Sequence, residues 1–89
     1  MTATASLGHQ AATAFIAYRD GDRERLRELV ALVTPLLWHT ARSQHAPQDI
    51  AEDAIQTAWL RLVDAADTIA DPKGVVSWLV TTVKRETWR

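Results

Sequence analysis

Asp49–Val63, DIAEDAIQTAWLRLV, decides how the rest of this chain is read. Ile55, Trp59, Leu62, Val63 and Ala66, with Ala51 and Ala58 beside them, recur at steps of three and four, which predicts one apolar stripe on a helix packed against a core. On the far side Asp49, Asp53, Gln56, Thr57 and Asp64 project to water. At about 100° per residue Leu60 falls among them. Two readings of Leu60 stand side by side. A single exposed apolar side chain is ordinary on any surface; a leucine at the centre of a carboxylate and amide face also suits a basic, partly apolar helix of another protein.

The 89 residues suffice for one domain that buries somewhat more than ~60% of the surface of its unfolded chain. With 47% apolar residues, no Cys, three Gly and three Pro, the chain is neither disulfide-stapled nor low in complexity. The start, MTATASLGHQ, has no basic segment followed by an apolar one, and no run approaches the roughly 20 apolar residues of a membrane span. A cytoplasmic protein without a membrane partner is expected. The net charge of -1 is unevenly spread. Residues 47–70 carry Arg61 against Asp49, Glu52, Asp53, Asp64 and Asp67, whereas 71–89 carry Lys73, Lys84, Arg85 and Arg89 against Asp71 and Glu86. An acidic helix followed by a basic one suggests two partners.

Four helices account for the chain, an all-α compact bundle. Residues 1–8 read as a disordered start and 9–89 as the domain. His9 to Arg19 forms a short helix closed by Gly21 in the left-handed conformation, with Asp22 capping the next. The second, long helix places Leu26, Leu29, Val30, Val33, Leu36, Leu37 and Ala41 on one face, and Pro35 predicts a kink or break near residues 31–35. Pro47, Asp49 and Glu52 mark the start of the third helix, with Asp49 as its acidic cap. After a loop in which Asp71 caps and Pro72 takes the first helical position, the fourth helix buries Val75, Val76, Leu79, Val80 and Val83. Its other side carries Trp78, Thr81, Thr82, Arg85, Trp88 and Arg89. Hydroxyls, guanidinium groups and indoles together are the chemistry of phosphate contact and base stacking, although Trp78 also fits as a wedge into the core. The chain stops at Arg89 in helical register with no capping glycine, which reads as a domain cut from a longer protein.

His9, His39 and His45 have no metal-ligand spacing, and no phosphate-cradling glycine loop or nucleophile elbow occurs. No metal, cofactor or enzymatic activity is expected.

The segments AEDAIQTAWLRL and DPKGVVSWLVTTVKRE, preceded by DGDRERLRELVALVTPLLWHTAR with its proline inside a long helix, resemble conserved region 2 of bacterial RNA polymerase sigma factors. The wording is that of the small extracytoplasmic-function group of the sigma-70 family, over about Phe15 to Arg89. Ala51-Glu52-Asp53, Gln56, Leu60 and Arg61 match one motif of the family; Trp78-Leu79 with Lys84-Arg85-Glu86 matches another. The resemblance implies that the third helix docks on the clamp helices of the polymerase beta-prime subunit through Asp49, Asp53, Gln56, Thr57, Leu60 and Arg61. It further implies that the following loop and helix engage the non-template strand of the promoter -10 element and help melt it. Those residues are Ile69, Ala70, Asp71, Lys73, Gly74, Ser77, Thr81, Lys84, Arg85, Trp88 and Arg89. An anti-sigma factor is a further partner the resemblance admits. Thr57 departs from the family, which usually has Glu or Asp there, and the family's second domain, a reader of the -35 element, is absent from these residues.

The rival expectation, from another class, is a helical protein-interaction module that never meets DNA. A stand-alone helix-turn-helix repressor fits less well, because no connector has the three to four residue turn that motif requires.

Overall fold

The computed structural model describes residues 6–88, so the expectation for residues 1–5 lies outside it. It is helical, without a strand among the described residues: α1 Leu7–Arg19, α2 Arg25–Ser43, α3 Gln48–Ala65 and α4 Val75–Thr87, with 3-10 turns at Ala66–Thr68 and Pro72–Gly74 between α3 and α4. The bundle is a slab of 36 × 35 × 21 Å, about two helix diameters thick. α1 packs chiefly on α2 and α3 on α4, α2 also packs on both α3 and α4, and α1 touches α4 and the second 3-10 turn.

α1 begins two residues before His9, because the Ser6 hydroxyl accepts the His9 amide at 3.1 Å and caps the helix there. Its inner face, Ala11, Ala14, Phe15 and Tyr18, is buried. Gly21 closes the connection at φ 113, a region side chains avoid, and Arg23 stands 5.8 Å over the Tyr18 ring. Asp22 does not cap α2. Residues 22–24 form their own turn, with the Arg25 amide bonded to the Asp22 carbonyl, and the Asp22 carboxylate faces Arg25 Nε at 3.5 Å instead.

Pro35 does not break α2, which runs unbroken over 19 residues. Pro35 and Ala31 are both exposed, so the carbonyl that loses its amide partner lies on the watered side of the helix, while Leu29, Val33, Leu37 and Ala41 hold the other side in the core. α2 ends at a left-handed residue, His45 at φ 59; the Ala46 amide reaches the Ala41 carbonyl and the His45 amide the Arg42 carbonyl. That is the double closure usually built on glycine.

α3 starts two residues earlier than a cap at Asp49 would place it, with Pro47 in the cap position. The Ala51 amide bonds the Pro47 carbonyl, which puts Asp49 inside the first turn, where its charge faces the positive end of the helix dipole. Its buried residues are Ala51, Ala54, Ile55, Ala58 and Leu62, with Ala66 beyond them. Trp59 is half-buried, and Val63, expected in the core, is 43% exposed. The buried stripe is centred between Ala51 and Ala58, and Val63 lies roughly 120° from that centre. In α4, Val75, Leu79 and Val83 are buried and Val76 and Val80 pack partly against them. Thr82, expected on the outer face, is buried too, its hydroxyl donating to the Trp78 carbonyl at 2.8 Å. That bond satisfies the hydroxyl inside its own helix.

Candidate functional site

Two surfaces emerge on the adjacent helices α3 and α4. On α3, Asp49, Asp53, Gln56 and Leu60 are exposed and Thr57 is half-buried. Leu60, at 65% exposure, is the centre of this face. Val63 joins it. Seven residues, two turns, separate Val63 from the exposed Gln56, so the spacing itself places the two on one side, and the apolar part of the ridge is Leu60 with Val63 rather than Leu60 alone. Ile50, also exposed, stands on the flank of this helix.

Arg61 is turned away from that ridge. Its Nη2 lies 3.4 Å from Glu86 Oε2 on α4, with the arginine side chain 52% and the glutamate 13% exposed. The pair bridges the two helices over an open cleft of about 450 Å³ lined by Arg61, Asp64, Ala65, Thr68, Trp78, Thr82, Arg85 and Glu86. A second depression of about 410 Å³, lined by Gly74, Ser77, Trp78, Thr81, Thr82 and Arg85, adjoins it. The half-buried Trp78 and the buried Thr82 are common to both, so they form the floor, and the exposed Arg85 stands at the rim. An aromatic face, hydroxyls and a guanidinium around an open groove can stack a planar ring and pair with an anion.

The connection from α3 to α4 is built tightly. The Asp71 carboxylate accepts the Lys73 amide at 3.0 Å, the cap the residue types predict, and the Gly74 amide donates to the Asp71 carbonyl at 2.9 Å. Pro72, expected at the first position of the fourth helix, instead opens a 3-10 turn, and α4 itself begins at Val75. Ala70, Asp71 and Lys73 are exposed and Gly74 half-buried, whereas Ile69 packs against the core and anchors the loop. On α4, Ser77, Thr81, Lys84 and Arg85 are exposed, and Trp88 is 73% exposed with its indole Nε1 donating to Gln44 Oε1 at 2.6 Å. That bond fixes the edge of the ring and leaves its face open. Arg89 lies outside the described residues.

Arg19 at the end of α1 donates from Nη1 to the Ile69 carbonyl at 2.8 Å and reaches the Ala66 carbonyl at 3.5 Å. Fifty residues separate the closer pair, and no local pattern announces it. Among the described residues no three His, Asp or Glu side chains gather as a metal set, and no helix is long and apolar enough to cross a membrane.

Residues 29–89 match the family profile described as Sigma-70 region 2. The match begins inside α2, so it includes both exposed faces and the loop between them and leaves out α1. Comparison with curated proteins and with solved structures finds no match.

Proposed function

Because this chain belongs to the sigma-70 family, through its region 2, we propose that it joins core RNA polymerase by the α3 ridge and engages the promoter -10 element by the loop and α4. Region 2 domains are parts of transcription initiation factors, with core polymerase and promoter DNA as partners, and their family is not a catalytic one. The finer assignment is to the extracytoplasmic-function group, to the clamp helices of the beta-prime subunit and to the non-template strand. The observation that supports the polymerase contact is Leu60, 65% exposed and framed by Asp53, Gln56 and Val63 on a helix whose opposite side is sealed in the core. An apolar centre with an acidic and amide rim suits a basic helix pair.

Asp49, Asp53, Gln56, Thr57, Leu60 and Val63 form the polymerase surface, with Arg61, held by Glu86, at its margin. Ala70, Asp71, Lys73 and Gly74 in the loop, anchored by Ile69, and Ser77, Thr81, Lys84, Arg85, Trp88 and Arg89 along α4 form the DNA surface. No covalent step is needed. A surface that binds the separated strand more tightly than the duplex shifts the equilibrium toward open DNA by that difference in affinity, against an unstacking cost of a few kcal/mol per base. The same exposed surfaces are where an anti-sigma factor would act, by covering them.

Calorimetric titration with the isolated beta-prime clamp-helix fragment tests the polymerase half. Micromolar binding is expected for the wild type, weakened more than about tenfold by Leu60→Asp, a loss of over ~1.4 kcal/mol. A folded wild-type domain that ignores the fragment would sink the assignment. The second reading, a bundle that meets only proteins, draws on the half-buried Trp78, the buried Thr82 and the bond from Trp88 to Gln44. Lys84→Glu with Arg85→Glu separates the two. Single-stranded DNA binding disappears and clamp-fragment binding persists under the first reading, and under the second there is no DNA binding to lose.

A further inference from the structure

α3 ends without the usual means of ending a helix. Its last turn has no basic residue, its cap is the right-handed Ala66 rather than a left-handed glycine, and a 3-10 turn follows directly. Of the carbonyls released there, that of Ala65 accepts the Thr68 hydroxyl at 2.7 Å, and the next ones need donors from elsewhere. Arg19 provides one from the far side of the sequence, with Nη1 2.8 Å from the Ile69 oxygen and 3.5 Å from the Ala66 oxygen. The guanidinium carbon sits 5.0 Å from the centroid of the Phe15 ring, and Phe15 is fully buried. The arginine is therefore stacked on a buried ring and donates to the carbonyl immediately before the exposed segment Ala70, Asp71 and Lys73. At its other end the segment is folded into the 3-10 turn that leads into α4, where the Lys73 amide donates to the Asp71 carboxylate and the Gly74 amide to the Asp71 carbonyl.

We propose that Arg19 is a positioning residue for the promoter-facing loop. α1 is then part of the DNA-reading apparatus, although the family match starts only at Leu29. The inference rests on the reading of this loop as a DNA contact. A short exposed loop clamped at both ends meets a strand in one shape, whereas a loop free at one end must be ordered by the strand at a cost in affinity. Two other roles make different predictions. A mere helix cap alters stability without altering DNA affinity; a direct phosphate contact alters the salt dependence of binding.

The experiment compares the full chain with Arg19→Ala and Arg19→Lys in three measurements. These are hydrogen exchange at the Lys73 and Gly74 amides, affinity for a pool of short random-sequence single-stranded DNA at several salt concentrations, and affinity for the clamp-helix fragment. Arg19→Ala is expected to speed exchange in the loop, to weaken DNA binding about tenfold, and to leave both the salt slope and clamp-fragment binding as they were. Arg19→Lys keeps the charge but loses the fork, so it falls between on exchange and on affinity; it also carries the test if the alanine variant does not fold. Unchanged loop exchange overturns the proposal, as does faster exchange with unchanged DNA affinity. A salt slope shallower by about 0.7 in Arg19→Ala, with full affinity in Arg19→Lys, replaces it with a phosphate contact. Failure of the wild type to bind the DNA pool while binding the clamp fragment overturns the DNA reading of the loop itself, and so is told apart from failure of the clip.

Discussion

Neighbouring residues on α3 have opposite environments. Leu62 is fully buried and Val63 is 43% exposed, one residue and about 100° of rotation apart. Leu62→Ala should cost about 2–5 kcal/mol through lost burial and the cavity left behind. Val63→Ala should stay within about 0.5 kcal/mol. Thermal unfolding of the two variants checks the pair, and a Val63→Ala variant as unstable as Leu62→Ala would place the core stripe elsewhere. His45 supplies a second contrast. It occupies φ 59 at the end of α2, where a side chain costs about 1–2 kcal/mol and glycine does not. His45→Gly is therefore expected to raise stability by about 0.5 kcal/mol after its greater freedom in the unfolded chain is counted. Urea denaturation with an unchanged slope and a higher midpoint would show it.

Among the elements, α2 is where a local rule yielded to packing. Proline inside a helix costs about 3 kcal/mol or more and commonly kinks it, and a break near Pro35 is the natural expectation. The helix runs on because residues on both sides of the proline, Val33 and Leu37, are fixed in the same core, and because the unpaired carbonyl faces solvent. Pro35→Ala should restore the missing bond and stabilise the domain by about 1–3 kcal/mol, read as a higher melting temperature, with the helical circular dichroism little changed. A large gain in helical signal would mean that α2 is broken in solution. α3 and α4 show the complementary case. Their apolar periodicities were legible but for Val63 and Thr82, whereas the Arg61–Glu86 pair that bridges them depends on how two helices lie side by side. Arg61 matched a family motif and was expected on the polymerase face; its side chain reaches across to α4.

At the scale of the whole molecule, the net charge of -1 hides a division of labour. The acidic α3 face and the basic α4 face are carried by neighbouring helices, so one partner can be held on each. If Lys73, Lys84 and Arg85 each neutralise a phosphate, log affinity for single-stranded DNA should fall against log salt with a slope near -2, by about -0.7 per contact. A flat salt dependence would remove the phosphate contacts from the account. The sequence alone determined the four helices, the Asp71-Pro72 start, the exposed Leu60 and the family, because each of these is written in local periodicity, turn chemistry or motif wording. The tertiary structure alone decided that Val63 and Thr82 exchange the expected sides, that Arg61 pairs with Glu86, and that Arg19 holds the carbonyls of Ala66 and Ile69. The physical reason is one of range. A helix's own pattern says which face is apolar to within a few tens of degrees, but the rotation about its axis and the side chains it meets are set by helices tens of residues away in the chain.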